Sequence, residues 1–566
     1  MVEEVLVSLS LIIAVAAILT VLARIIRQPP IIAYLFAGIL VGPLAFNMIN
    51  PASSSSELIS VFAHIGVAFL LFIVGLSLDF RVLKEIGKVS AVVGIAEIII
   101  VSGIGFLLAI GLGFSNISAL YLGAIFAFSS TVVVVKILSD KKEIDTLHGR
   151  IALGILIVED FVAAIALMIV PLMDSQGDIY LMLGKILGAV ALIAGIFIIS
   201  GLFLKRVLDY LARNQEALFL FGIAWALVLA TIFNSLGFSL EIGALIAGMS
   251  LASSKYTLEL GGKMKPLRDF FVVLFFVFFG SQLTPDINGE LIRNAVIFSL
   301  FVFLGKPLIV MSLLRMFGYK KRTNFLTGAS LAQISEFSLI LALLGFNLGY
   351  LSQEVMNLAI LISLITIGLS SYSIYYSRWI FSRISRGLGI FEGKKHRNLI
   401  EDAKKFDIVL FGYHRIGYKV LQELKRLGKS FVVIDYNPKV ILALSKEGIN
   451  CIYGDAEDKG FLMEIGLEKA KLVISTIPEE PVNKSILEYL NRTNAKSVFI
   501  ATVEYGRNAL DLYASGADYV IVPHHLGGEY AAHMIAKFKT NKKEYGKIRK
   551  KHIGELLRGK ENSNYG

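Results

Sequence analysis

The chain has 566 residues, 55% of them hydrophobic and only 17% charged, with a mean hydropathy of +0.71. A soluble domain carries about 25% charged residues, so a wholly water-soluble protein is excluded and a polytopic membrane protein is indicated. The net charge of +11 does not point to nucleic acid, because the basic residues gather in loops between apolar segments, where membrane topology accounts for them.

The start, Met1-Val-Glu-Glu-Val5, lacks the positive region of a signal peptide, so the first apolar segment is expected to stay as a span. Apolar segments of about 15 to 28 residues recur over the first ~385 positions. They predict thirteen spans, at 4–23, 29–43, 57–79, 89–111, 117–138, 148–172, 179–204, 215–234, 238–254, 268–283, 290–313, 323–349 and 353–381. Loops after odd-numbered spans are basic: Arg24 and Arg27, then Arg81, Lys84 and Lys88, then Lys141, Lys142 and Arg150. The same holds for Lys205, Arg206 and Arg213, for Lys255, Lys263, Lys265 and Arg268, and for Arg315, Lys320, Lys321 and Arg322. Loops after even-numbered spans are nearly free of Lys and Arg; Lys185 and Arg293 sit at span starts, where they can snorkel. By the positive-inside rule the N-terminus is expected outside and the C-terminus in the cytoplasm of a plasma-membrane protein.

Polar residues inside these spans are costly and therefore informative. Span four contains an isolated acid, Glu97, which carries little weight alone. Span five has three consecutive hydroxyls at its centre, Ser129-Ser130-Thr131, suited to an unwound helix or to helix packing. Span six holds two adjacent acids, Glu159 and Asp160, and an Asp at the helix centre costs about 2.5–3.5 kcal/mol on insertion scales. Adjacent helical residues point about 100° apart, so one acid is expected to bind an ion and the other to meet Lys306 of span eleven or a protein wall. Span twelve carries Gln333, Ser335, Glu336 and Ser338 at mid-depth. Spans five and twelve cross in opposite directions, and two such interrupted helices mark inverted-repeat transporters with an ion site between the breaks. A hard monovalent cation needs oxygen ligands, which Asp160, Glu159, Ser130, Thr131, Gln333 and Glu336 offer. Burial and a like-charged neighbour favour a protonated carboxyl, so proton and cation are expected to compete for one site.

From about residue 400 the sequence reads as a soluble domain. Asp407-Ile-Val-Leu-Phe411 is a strand, followed by Gly412-Tyr413-His414-Arg415-Ile416-Gly417 and an amphipathic helix. The next strand, at 431–435, ends in Asp435 at the spacing for ribose recognition. Further strands are expected at 449–453, 471–475, 497–501 and 518–522, making a doubly wound parallel sheet. Gly454-Asp455-Ala456 and Thr476 follow the third and fourth strands. His414 replaces the second fingerprint glycine, so AMP is as good a candidate as NAD(H), with Arg415 toward phosphate and Asp435 toward ribose. The alternative is a Rossmann-like domain serving only for dimerisation. One cysteine, Cys451, excludes an intrachain disulfide. The expected division is a transmembrane exchange domain over 1–385, a linker over 386–406, a Rossmann-like domain over 407–535 and a basic tail over 536–566.

Phe128-Ser-Ser-Thr-Val-Val-Val-Val-Lys136, Val158-Glu-Asp-Phe161, Ala244-Leu-Ile-Ala-Gly-Met-Ser-Leu-Ala-Ser-Ser254, Leu274-Phe-Phe-Val-Phe-Phe-Gly280 and Leu331-Ala-Gln-Ile-Ser-Glu-Phe337 occur in this order. Together they resemble the Kef-type members of the second monovalent cation:proton antiporter family, over nearly the whole chain. The soluble domain resembles the RCK or TrkA N-terminal nucleotide-binding domains of potassium channels and transporters. The resemblance implies that Asp160 is the ion-carrying aspartate and Lys306 the family's lysine. It also implies that spans five and twelve are the crossing helices of a homodimer with an elevator-like motion. Kef proteins usually have Gln before the aspartate; Glu159 departs from this and leaves the stoichiometry open.

The function expected is antiport of K+ or Na+ against H+, regulated by a cytoplasmic nucleotide, and not an enzyme. A nucleotide-gated potassium channel is the alternative; no Thr-Val-Gly-Tyr-Gly filter occurs. A membrane-anchored dehydrogenase would need a second soluble domain that the sequence does not supply.

Overall fold

A computed structural model describes residues 2–47, 54–77, 88–170, 188, 191–393 and 406–562, except positions 142, 145, 199, 201–203, 213, 237–239, 253, 255, 414, 436, 437, 455 and 458. It divides into two units, Met1–Gly393 and Lys394–Gly566.

The first unit is helical. Its elements are α1 (Val2–Ile25), α2 (Pro30–Val41), α3 (Ser54–Ser77), α4 (Lys88–Gly111), α5 (Asn116–Ala127), α6 (Thr131–Asp140), α7 (Leu147–Ile169) and α8 (Lys205–Leu211). They continue as α9 (Gln215–Ser235), α10 (Leu240–Leu251), α11 (Thr257–Ser281), α12 (Gly289–Leu300), α13 (Lys306–Met316), α14 (Lys321–Ser330), α15 (Glu336–Asn347), α16 (Gln353–Tyr375) and α17 (Ser377–Ile384). Among the described residues, six helical stretches are long and apolar enough to cross a bilayer, joined by shorter apolar helices. Ile18, Val21, Ile99, Leu107, Leu220, Val228 and Val296 stand exposed on their outer faces, as lipid-facing side chains do. The expected seventh span lies largely outside the described residues. The helix that holds most of the expected tenth span begins ahead of it. α11 starts at Thr257 and takes in Lys263, Lys265, Pro266 and Arg268.

Two helices are interrupted in mid-course. α5 and α6 are separated by Phe128–Ser130, and α14 and α15 by Leu331–Ser335. At both breaks a serine caps the following half-helix. Ser130 Oγ accepts from Val133 N at 3.3 Å, and Ser335 Oγ accepts from Phe337 N at 3.1 Å. A backbone break in hydrocarbon is tolerated only where such groups satisfy it. A π turn, Phe301–Gly305, joins α12 to α13.

Helices α1–α3 and α9–α11 pack on one another, and α4–α7 with α12–α16 form a second group. Glycine pairs set the first group's spacing. A Cβ on Gly38 would lie 2.1 Å from Val277 O, and one on Gly248 2.0 Å from Phe72 O. Backbones this close are how membrane helices gain packing contacts.

The second unit contains a six-stranded parallel sheet in the order β3-β2-β1-β4-β5-β6. The strands are β1 (Ile408–Phe411), β2 (Phe431–Asp435), β3 (Cys451–Tyr453), β4 (Leu472–Ser475), β5 (Val498–Thr502) and β6 (Tyr519–Ile521). Helices α18 (Arg415–Leu427), α19 (Pro438–Lys446), α20 (Lys459–Glu464), α21 (Glu480–Arg492) and α22 (Gly506–Ala514) connect them. Strands β1, β2 and β4 are almost wholly buried, as expected for parallel strands covered by helices on both faces. Helix α23 (Pro523–Phe538) follows β6 and runs into the basic tail, which forms α24 (Lys542–Asn562).

Candidate functional site

The two breaks place their polar residues beside the acids of α7. Consecutive helical side chains diverge, and the site residues fall accordingly into two clusters on either side of the α5–α6 break.

The first cluster surrounds Asp160, which is only partly buried. Thr131 Oγ1 donates to Asp160 Oδ2 at 2.9 Å. Glu336, at the start of α15, is close enough for its charge to act on Asp160. Ser335 Oγ donates to Glu336 Oε2 at 3.5 Å, and Ser130 is near enough to act on the same carboxyl. Gln333 Nε2 donates to Ser130 O at 3.4 Å, and Ser370 Oγ donates to Gln333 Oε1. Asp160, Thr131, Ser130, Gln333 and Glu336 thus form one oxygen-rich group drawn from α6, α7 and the α14–α15 break.

The second cluster is fully buried and centres on Lys306. Its Nζ donates to Ala127 O at 2.7 Å and to Ser129 Oγ at 2.6 Å. It lies 3.8 Å from Glu159 Oε1 and 3.7 Å from Glu97 Oε1. Glu159 Oε2 accepts from Ser129 N at 2.5 Å. The half-helix ends assist both charges. Lys306 meets the last carbonyl of α5, its negative pole, and Glu159 meets an amide just before α6, its positive pole. Lys306 faces Glu159 and Glu97. From the sequence Glu97 carried little weight as an isolated intramembrane acid, and Ser129 was named only among the hydroxyls of span five. Neither was placed with Lys306, because their partners are remote in sequence. A Cβ on Gly94, one turn before Glu97, would touch Val158 at 3.1 Å, which shows how closely α4 approaches α7 beside Glu159.

A cavity of about 180 Å³ is lined by His64, Asn234, Glu241 and Asn347 together with apolar residues of α3, α10 and α15. His64 Nδ1 lies 3.2 Å from Glu241 Oε1. None of the residues around Asp160 lines this cavity.

Below the breaks, Glu143 is almost wholly buried in the turn before α7. Arg378 Nε lies 2.9 Å, Lys141 Nζ 3.1 Å and His148 Nε2 3.3 Å from its carboxyl oxygens. Burial pushes this carboxyl up. The hydrogen bond from His148 and the charges of Lys141 and Arg378 outweigh burial and bring it down to about 2.

In the second unit, β1 and β4 are the paired neighbours at which strand order reverses, and the carboxyl ends of such strands are the usual ligand crevice. Gly412 turns the chain there with φ +84. Tyr413 N donates to Asp435 Oδ2 at 2.7 Å, so Asp435 braces the loop. Thr476 Oγ1 donates to Gly412 O at 2.9 Å. A Cβ on Gly417 would lie 2.3 Å from Gly412 O, so only glycine lets α18 begin under the turn. Burial pushes the Tyr413 phenol up to about 12. Ile416 is partly buried and Ala456 buried. His414, Asp455 and the Arg415 side chain lie outside the described residues.

Residues 11–375 match the model of the family described as sodium/hydrogen exchanger, transmembrane, and residues 408–523 match the TrkA-N domain. The chain is 30% identical over 535 residues to Escherichia coli (strain K12) YbaL, named as a cation/proton antiporter, covering 90% of this chain and 93% of that one. It is 26% identical over 502 residues to Alkalimonas amylolytica KefB, named as a K+ efflux antiporter, covering 87% and 75%. The solved sodium proton antiporter MjNhaP1 from Methanocaldococcus jannaschii is 18% identical over 69% of this chain and 99% of that one, with a TM-score of 0.48. The chain therefore belongs to the sodium/hydrogen exchanger family, as a transmembrane cation/proton antiporter with a C-terminal TrkA-N domain.

Proposed function

We propose that the protein exchanges a monovalent alkali cation, K+ or Na+, for H+ by alternating access, with Asp160 as the carrier of both. The carrying observation is the setting of Asp160. It is the partly accessible member of the acid pair, bonded to Thr131 at one helix break and faced by Glu336 from the other. A dehydrated alkali cation at Asp160 would find oxygen ligands in Thr131, Ser130, Gln333 and Glu336. A proton on Asp160 removes the charge that holds it, so the two cargoes exclude each other. Glu159 is already engaged by Ser129 and Lys306, which supports a structural and electrostatic role for it. The helix group α4–α7 with α12–α16 would move against α1–α3 with α9–α11 within a homodimer. YbaL and KefB, by their names a cation/proton and a K+ efflux antiporter, favour K+ as the first cation to test.

The TrkA-N unit, in the cytoplasm with the N-terminus outside, would set the rate through a bound nucleotide, AMP or NAD(H). The braced Gly412–Gly417 turn at the reversal of strand order supports that reading. The proposed boundaries are 1–385 for exchange, 386–406 for the linker, 407–535 for the nucleotide domain and 536–566 for the tail.

The test is proton flux reported by a pH dye in proteoliposomes, driven by K+, Na+ or Li+ gradients, for wild type and Asp160→Asn. Cation-driven flux is expected in the wild type, without single-channel currents, and none in the variant. Retained flux in Asp160→Asn overturns the assignment of Asp160.

A further inference from the structure

The chain leaves the helical unit through a segment pinned at both ends. At its start, Arg378 forms an ion pair with Glu143, Nε 2.9 Å from Oε1. Lys141 Nζ donates to Ile374 O at 2.9 Å and to Ser377 Oγ at 3.2 Å. At its far end, Gly393 N donates to Tyr319 O at 3.1 Å. Asn324, wholly buried in α14, donates its side-chain amide to Phe391 O at 2.9 Å and to Tyr319 O at 3.0 Å. Between these points Phe381 packs on Phe325 with ring centroids 5.8 Å apart, and Lys321 Nζ lies 3.9 Å from Glu392 Oε2. A Cβ on Gly393 would lie 2.4 Å from the carbonyl carbon of Gly318, so the strap lies backbone on backbone against the α13–α14 turn.

The helices it touches are those that carry the site. The Glu143 turn leads directly into α7 with Glu159 and Asp160. The Gly318–Lys320 turn ends α13, which begins at Lys306. Asn324 lies in α14, which runs up to the break holding Gln333 and ends before Glu336. An ordinary linker needs none of this. A buried asparagine spent on linker carbonyls, and a glycine without room for a methyl group, make the contact specific.

From this we infer that residues 377–393 are the element through which the TrkA-N unit controls exchange, with Asn324 as its latch. A pull on the chain beyond Gly393 acts on the α13–α14 turn, and through it on Lys306 and the α14–α15 break. The inference rests on the exchange activity proposed above.

The experiment uses full-length protein in proteoliposomes with a site for a specific protease inserted between Lys395 and His396. Cation-driven proton flux is measured before and after cleavage in wild type, Asn324→Ala and Gly393→Ala. Cleavage is expected to change the wild-type rate by about fivefold or more, and that of either variant by less than about twofold. Gly393→Ala keeps the test valid should Asn324→Ala fail to fold, since residue 393 lies outside the membrane helices. Equal cleavage effects in wild type and variants overturn the latch. Exchange in every sample with no cleavage effect overturns the coupling and leaves the exchange reading standing. No exchange in the uncleaved wild type overturns the exchange reading, and the strap's role with it.

Discussion

Thr131 holds Asp160 by a hydrogen bond of 2.9 Å at the first turn of α6. The bond links a mid-membrane helix start to the acid proposed to carry cargo, so its loss is expected to act on cation affinity. A net hydrogen bond is worth about 0.5–1.5 kcal/mol. Thr131→Val should raise the half-saturating cation concentration by about two- to tenfold, with the maximal rate nearly kept. An unchanged half-saturation in dye-flux measurements would separate Thr131 from cation binding.

Lys306 stands between two buried carboxyls. Removing one partner of a buried charge cluster costs about 3–5 kcal/mol, so Lys306→Met should lower thermal stability in detergent sharply. Adding Glu97→Gln removes one stranded acid and should restore part of the loss, with a coupling of about 0.5–3 kcal/mol. Strictly additive losses would show that Glu97 and Lys306 do not interact.

The Glu143 cluster makes a pH prediction. Its carboxyl titrates near 2 in the folded protein, below the ordinary value of 4.5. The stabilisation is therefore complete above about 4.5 and is lost as pH falls toward 2, a difference of roughly 3 kcal/mol. Glu143→Gln should be less stable than wild type at pH 7 and show a shallower loss of melting temperature on acidification. Parallel acid profiles for the two proteins would remove Glu143 as the sensitive group.

The Gly412–Gly417 turn, proposed to hold the nucleotide, has no room for a side chain at residue 417. Gly417→Ala would drive a methyl group into Gly412 O and displace the turn that Asp435 and Thr476 brace. Calorimetry on the full-length protein with AMP and with NADH should show binding weakened by about tenfold or more, with the melting temperature of the helical unit kept. Undiminished binding of both would move the ligand away from this turn.

Hydropathy and mid-span hydroxyls made much of the helical architecture legible. Ser129-Ser130-Thr131 and Gln333 to Ser338 marked the two interruptions because hydroxyls in hydrocarbon need a backbone to satisfy. The start of α11 was missed. Lys263, Lys265 and Arg268 read as loop charges, yet the helix runs through all of them and through Pro266 as well. The divergence of Glu159 and Asp160 was legible from the 100° step between neighbours; which of the two would meet Lys306, and which residues would gather round each, was not, since that depends on how the helices pack. Glu97 showed as an isolated intramembrane acid, but nothing beside it in the chain says that Lys306 comes to rest against it. Asn324, likewise, is an unremarkable polar residue near a helix start until the strap that it holds is seen.

The π turn before Lys306 bears on how this helix can change. Counted in α-helical steps of about 100° per residue, Gly289–Leu300 and Lys306–Met316 are out of phase, and Phe301–Gly305 absorbs the difference. π turns of this kind amount to one residue more than a regular helix holds. Removing a single residue there would leave a straight apolar helix of nearly the same length and hydropathy. It would also leave α13 facing nearly as it does now, since the π turn already takes up the extra residue. A one-residue deletion within Phe301–Gly305 is therefore expected to keep Lys306 on its present face, whereas a one-residue insertion there would rotate it by about 100° and be as damaging as loss of the lysine itself.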